Sequence, residues 1–289
     1  MKRQILSLLV VLSVLVTACA AEGPKTVSVA FYHTSDIHEH SEPLLRIARF
    51  VEARKKEDPN VLLVDTGDWF NKGDLTALNT RGEAVTAMMS ACKYDAMIPG
   101  NHDYSFGTKR LAELIDRYSL PVVMANCRWP DEAKPQNAVP YRIFKLDGMT
   151  VAIIGTATPI SSQRTDTLLK ILPIDKSLRE LVAELDQRVD VVVLLTHVGL
   201  EADRKLAHDL PGVDVIFGGH NHKRFKTLDF DPATQTVIQH SGSFGQHVGE
   251  LTVTWDGEKI VDRKARLVSI TKDMPQSAAV GAVRDKYVP

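Results

Sequence analysis

Residues 96–103 read Ala-Met-Ile-Pro-Gly-Asn-His-Asp: an apolar run breaks into a turn that presents an amide, an imidazole and a carboxylate in succession. Four further polar clusters also follow apolar runs: Asp36-Ile37-His38, Gly67-Asp68, Thr196-His197 and Gly218-Gly219-His220-Asn221-His222. Taken singly, most have a bland explanation. Asp-x-His after a strand is usually a turn with a capping aspartate. Gly67-Asp68 fits any turn, and a lone His197 is more often a satisfied core histidine. Gly-Gly-His-x-His is more specific, because paired imidazoles suit a metal and the glycines let the backbone approach closely. Five such clusters in order at strand ends point to one site, since open α/β sheets bind ligands outside the carboxyl ends of their strands.

The intervening pattern supports that layering. Short strands are read at Thr26–His33, Val61–Val64, Ala96–Ile98, Pro121–Ala125, Tyr141–Leu146, Thr150–Ala157, Val191–Leu195 and Val213–Phe217. Helices are read at Pro43–Lys56, Gly82–Cys92, Gly107–Arg117, Lys176–Gln187 and Ala202–Leu210, the first with Leu44, Leu45, Ile47, Ala48 and Val51 on one face. Strands alternating with helices imply an α/β fold whose sheet faces are covered by helices. From Thr236 the reading is all strand (Thr236–His240, Val248–Trp255, Lys259–Ile270), which suggests a second sheet or a mixed edge. Thr271–Pro289 has a weak pattern, expected to trail off or form a short helix. There is no repeat and no low-complexity linker.

Composition narrows the function. Lys+Arg is 35 and Asp+Glu 36 in 289 residues, so no basic excess marks a nucleic-acid polymer as partner. At the start, Lys2 and Arg3 precede Ile5–Val16, an apolar stretch too short for a permanent span and suited to a signal peptide. Val16-Thr17-Ala18-Cys19 resembles the lipobox of bacterial lipoproteins, which implies cleavage after residue 18 and lipidation of Cys19. The expected location is a membrane-anchored lipoprotein facing the periplasm or at the cell surface. Cys92 and Cys127 are too few for a cysteine zinc site and are read as separate thiols, a disulfide being permitted.

The cluster chemistry suits phosphate-ester hydrolysis. Two divalent cations about 3.5–4 Å apart can clamp the attacking and leaving oxygens. They need carboxylate, imidazole and amide-oxygen ligands, with one carboxylate able to bridge, and Asp68 is the natural bridge. The five motifs resemble those of the calcineurin-like metallophosphoesterase superfamily. His33-Thr34-Ser35-Asp36-Ile37-His38, the Gly100–Asp103 block and the Gly218–His222 block are similar to the 5′-nucleotidase/UDP-sugar hydrolase family. The resemblance runs from about Val27 to about Leu251. It implies a four-layer α/β/β/α sandwich as a single catalytic domain, expected over residues 26–270, with 271–289 as a tail.

Carried over by position, the resemblance implies one metal held by Asp36, His38, Asp68 and His222, and another by Asp68, Asn101, His197 and His220. The metals are divalent, with Mn, Zn, Fe and Co all acceptable. His102 and Asp103 match the catalytic dyad, with Asp103 orienting His102 and holding its proton. Asn101, His102 and His197 are expected to touch the substrate, a small phosphorylated molecule and in this family a nucleotide. Three departures stand out. The family usually has Asn at Ser35 and Gly at Glu39, and Glu39 could alter the rim of the site and repel an anionic substrate. His40 is read as a solvated loop residue, with reach to the substrate as the alternative. Family members also usually continue into a second, nucleoside-binding domain. The chain stops at Pro289, so a separate polypeptide carrying a domain of that kind is the expected partner. A phosphodiesterase or UDP-sugar pyrophosphatase on the same metals is the nearest alternative, and a non-catalytic binding lipoprotein the more distant one.

Overall fold

A computed structural model describes residues 26–130, 134–158 and 169–288. The expected signal segment and Cys19 lie outside the described residues. The first half of the chain runs β1 (Val27–Thr34), α1 (Ser41–Glu57), β2 (Val61–Asp65), α2 (Glu83–Ala91), β3 (Ala96–Met97) and α3 (Thr108–Arg117). A crossing region follows, with β4 (Cys127–Arg128), β5 (Tyr141–Leu146), β6 (Met149–Gly155) and β7 (Lys170–Ile171). The second half has α4 (Ile174–Asp186), β8 (Val191–Leu195), α5 (Leu200–Asp209), β9 (Val215–Gly218), β10 (Asp229–Phe230) and β11 (Val237–His240). It closes with β12 (His247–Trp255), β13 (Ile260–Ser269) and α6 (Ala278–Arg284).

Two large sheets form among the described residues, ordered β13-β12-β1-β2-β3 and β10-β11-β9-β8-β6-β5, and β4 and β7 make a separate antiparallel pair. The inner pairs (β1–β2, β2–β3, β6–β8, β8–β9 and β9–β11) are parallel, and the flanking pairs are antiparallel. Strand alternation explains the layering. In β2, Leu62 and Val64 face the core between the sheets, while Val61 and Leu63 face the outer core under α1 and α2. In β8, Val191, Val193 and Leu195 face inward, and Val192 and Leu194 meet α4 and α5. A strand buried on both faces must be apolar throughout, as Val-Val-Val-Leu-Leu is. The result is the α/β/β/α sandwich that the resemblance implied.

Two local readings change and a third is narrowed. Pro121–Ala125 is not a continuous strand. Val123 N donates to Met97 O at 2.8 Å, whereas Met124 N donates to Val139 O at 2.8 Å. The segment crosses from one sheet toward the other, so its hydrogen bonds divide between two partners. The late strands also divide: β11 joins the second sheet, and β12 and β13 extend the first. The final segment contains α6, docked on the outer layer. Val280 is fully buried there, Ser277 N donates to Leu45 O at 2.8 Å, and Arg284 pairs with Glu42 at 2.7 Å. Cys92 and Cys127 are free thiols.

If α6 is integral to the outer layer, Val280→Asp buries an unpaired charge against α1 and α2. The expected cost is about 2–4 kcal/mol, read as a lower urea midpoint and faster proteolysis near Lys286. An unchanged midpoint would show that the helix contributes nothing to the fold.

Candidate metal centre

Loops from both sheets meet at one edge of the sandwich. β1 leads into Ser35-Asp36-Ile37-His38, β2 into Thr66-Gly67-Asp68, and β3 into Ile98-Pro99-Gly100-Asn101-His102. From the second sheet, β8 leads into Thr196-His197 and β9 into Gly219-His220-Asn221-His222. Asp36, His38, Asp68, His220 and His222 all have left-handed backbone, with φ between 51° and 81°. Asp and His tolerate this region better than branched residues, but such conformations still cost on the order of 1 kcal/mol each. Loop-to-loop bonds hold them: Asp36 N donates to Gly67 O at 2.8 Å, and His38 N to Asp68 O at 2.9 Å.

The side chains converge tightly. Asp36 Oδ1 lies 3.3 Å from His222 Nε2, 3.8 Å from His38 Nε2 and 3.9 Å from His197 Nε2. Asp68 Oδ2 lies 3.1 Å from His197 Nε2 and 3.8 Å from His38 Nε2. Two overlapping groups result, Asp36–His38–His222 and Asp36–Asp68–His197, each with donor atoms within 4.8 Å of one another. Asp68 Oδ2 approaches an imidazole of each group, the position a bridging carboxylate needs, and Asp36 Oδ1 is shared in the same way. His220 Nδ1 sits 2.8 Å from Asn101 Oδ1, and its ring packs edge-on to His197 at 5.3 Å. The seven residues selected from sequence as ligands are thus brought to one place, His38 and His222 closing to 3.3 Å across 184 positions.

Whether a cation pair fits can be judged from two atoms. Asp36 Oδ1 and His197 Nε2 are buried without a hydrogen-bond partner; His197 Nε2 comes within reach of Asp68 but not in hydrogen-bond alignment. Buried polar atoms left this way are costly unless a cation takes them. The imidazoles are also aimed. His197 Nδ1 donates to Thr66 O at 2.6 Å and His38 Nδ1 to Phe70 O at 3.1 Å, which turns each Nε2 lone pair to the centre. Carboxylate, imidazole and amide oxygen without thiolate form a donor set for hard or borderline divalent cations. The residues present fit.

Charge follows the same logic. Burial pushes the Asp36 carboxyl up, but the His222 contact, the His197 charge and the Ser35 hydroxyl outweigh it and hold the group below its usual value. Asp68 is likewise pushed up by burial, yet held low by His197 and the His102 N–H. Burial lowers His197, but Asp68, Asp36 and the Thr66 carbonyl lift it to about 9. Burial lowers His38 to about 4. The two carboxylates give the cluster concentrated negative charge, which is the direction in which His197 is lifted. Gly219 permits this closeness. A Cβ there would stand 2.3 Å from Ser35 Oγ and 2.8 Å from His197 Nδ1.

The dyad expectation needs correction. Asp103 does not reach the His102 ring. Its carboxylate is fully buried and accepts four main-chain N–H groups, from Asp68 (2.9 Å), Trp69 (2.8 Å), Phe70 (3.0 Å) and Gly100 (2.7 Å). It is a positioning residue that clamps the Asp68 loop to the Gly100 loop. The reason is the turn: one residue after His102 in a short 3₁₀ helix, Asp103 points to the opposite side. His102 is instead faced by Asn71, whose Nδ2 donates to Ser105 Oγ at 2.6 Å and lies 3.4 Å from His102 Nδ1. An Asn71 N–H directed at Nδ1 favours the tautomer that carries the His102 proton on Nε2. No motif marked Asn71, which lies in an irregular loop with left-handed φ.

The rim expectation for Glu39 also changes. Glu39 is buried, and Oε2 accepts from Asn71 N at 2.8 Å and from the Thr76 hydroxyl, so it braces the loop rather than facing substrate. Burial raises its pKa against those bonds. Ser35 donates to Asp36 Oδ2 and fixes that ligand. His40 Nδ1 is bound to the carbonyls of Ile37 and His38, with its ring 4.8 Å from Phe244.

This fold and this centre define a metal-dependent phosphoester hydrolase. The chain belongs to the calcineurin-like phosphoesterase family, whose profile matches residues 29–224. Among known proteins it is similar to the uncharacterized metallophosphoesterase YunD of Bacillus subtilis, 27% identical over 78% of this chain and 50% of that one. It is similar also to the 5′-nucleotidase of Rattus norvegicus, 25% identical over 89% of this chain and 52% of that one. The solved 5′-nucleotidase precursor of Thermus thermophilus superposes with a TM-score of 0.78 and 25% identity, over 90% of this chain and 58% of that one. The chain spans about half the length of the curated relatives it matches.

Asp103→Asn supplies one acceptor oxygen where four N–H groups need two, and turns an amide N–H toward donors. Stability should fall by about 3 kcal/mol or more, with metal content falling alongside. A variant with normal stability but a displaced pH profile would instead support contact with His102.

Proposed function

We propose that this chain hydrolyses phosphate monoesters of nucleotides in the manner of a 5′-nucleotidase. The observation that carries this reading is the buried Asp36–Asp68–imidazole cluster, with His102 beside it at the rim. Two divalent cations, when bound, supply Lewis-acid stabilisation of the phosphoryl oxygens and an activated water. Asp36, His38, Asp68 and His222 would hold one, and Asp68, Asn101, His197 and His220 the other. The protein's own groups do the rest. Main-chain carbonyls of Thr66 and Phe70 fix the ring orientation of His197 and His38.

His102 is half-buried, and its ring meets the His38 ring edge-on at 4.9 Å. Burial lowers its pKa, so the neutral ring presents Nε2–H near neutral pH. In this reading that proton would stabilise charge on the phosphoryl group or pass to the leaving oxygen. Asn101 and His197, beside it, are the other groups proposed to meet the substrate. The nucleotide preference rests on the relatives named as 5′-nucleotidases. We further propose, on the sequence pattern of residues 2–19, an exported lipoprotein anchored through Cys19. No helix among the described residues is long and apolar enough to cross a membrane.

Turnover of AMP, UDP-glucose, a cyclic nucleotide and bis-p-nitrophenyl phosphate should favour AMP. Asp68→Ala should lower kcat by at least about a hundredfold and lower metal content; His102→Ala should lower kcat by about 10²–10⁴ with metal content intact. Undiminished catalysis in Asp68→Ala, or inactivity with every divalent metal, would sink the assignment. Cys19→Ser should move the protein from the membrane fraction to the soluble one, and unchanged partitioning would refute the anchor.

A further inference from the structure

Next to the metal centre is a second concavity that the reaction above does not use. Arg224, Lys226, His247, Arg266, Leu267 and Ser269 line a groove of about 480 Å³. Arg266 pairs with Glu250 at 2.7 Å, whereas Arg224 and Lys226 have no carboxylate partner among the described residues. Three permanent cations therefore share one groove with a single compensating carboxylate, in a chain whose net charge is −1. Cations scattered on a convex surface are normally just solvated. Here they converge, and His247 Nδ1 among them is buried with no hydrogen-bond partner. Burial first, and the charges of Arg224 and Lys226 after it, hold the His247 ring below its ordinary pKa.

The groove is built on the same chain segments as the metal centre. Arg224 is two residues beyond His222 and bridges to Ser241. Gly242 packs between the groove residues; a Cβ there would lie 3.5 Å from Arg224 Cβ and 4.0 Å from His247 Nδ1. Two residues on, the Phe244 ring lies 5.1 Å from the His222 ring, and Phe244 N donates to Asp36 O at 2.8 Å. The loop from Ser241 to Gln246 thus meets the metal centre on one side and the cationic groove on the other. Two residues of chain put the α-carbons of Gly242 and Phe244 at most about 7 Å apart, so the groove and the metal centre are neighbours across one short loop.

We propose that this groove is an anion subsite that receives the second phosphate of a nucleotide whose scissile phosphate lies at the metal centre. It rests on the phosphoesterase reading and deepens it: the substrate class becomes nucleotides carrying a second phosphate, such as a nucleoside 3′,5′-bisphosphate. Guanidinium groups are suited to this task, because their planar fork binds phosphate oxygens in pairs.

The test is the double variant Arg224→Glu/Lys226→Glu in the full chain, assayed on AMP and on adenosine 3′,5′-bisphosphate. Activity on the bisphosphate should fall at least tenfold in kcat/KM, chiefly through KM, with AMP turnover within twofold of wild type. Calorimetric titration of inorganic pyrophosphate into metal-stripped protein should show binding that the variant weakens at least tenfold. Equal losses on the two esters, or pyrophosphate binding unchanged in the variant, would overturn the subsite. So would loss of binding to phosphatidylglycerol vesicles with kinetics unaltered, which would make the groove a membrane contact. Inactivity of the wild type on both esters, with pyrophosphate binding intact, would remove the reaction and leave the anion site standing.

Discussion

Two carboxylates, Asp36 and Asp68, are buried at the same spot and share the same imidazoles. That is an unfavourable arrangement for like charges in a medium far less polarisable than water. It persists because the surroundings offer positive charge: the His197 ring beside both carboxylates, the main-chain N–H of His102 on Asp68 and of His220 on Asp36, and donor atoms grouped closely enough to take a cation. The rest of the architecture can be understood as the means of holding this cluster in place.

The sandwich supplies that means. Parallel inner strands in both sheets send their carboxyl ends to one edge, so loops from separate halves of the chain meet. The core between the sheets fixes the spacing of the strands, and the loops inherit it. At the ends, left-handed turns rather than helix caps aim the ligands, and their strain is offset by hydrogen bonds between loops. Asp103 is central to this bracing. Its four N–H partners join the loops after β2 and β3 into one rigid piece, which carries Asp68, Asn101 and His102 together.

The rim is organised by less conspicuous residues. Asn71 is held by Glu39 through its backbone and by Ser105 through its side chain, and it faces His102. Phe244 packs on His38, His40 and His222, and its loop continues into the wall of the cationic groove. The Phe244 loop thus runs between the carboxylate–imidazole cluster and the cationic groove.

The amino-acid sequence alone determined the layering and the identity of the clustered side chains. Apolar strands followed by Asp-x-His, Gly-Asp, Gly-Asn-His-Asp, Thr-His and Gly-Gly-His-x-His are local signals, because strand ends and tight turns are encoded by neighbouring residues. What the side chains touch was decided only by tertiary structure. Asp103 adjoins His102 in the chain yet turns away from it, Glu39 folds inward to brace Asn71, and Pro121–Ala125 splits between two partners. The division of the late strands between two sheets was equally invisible. The physical reason is that a turn fixes where a residue sits, whereas its hydrogen-bond partner is chosen by segments that arrive from elsewhere in the chain.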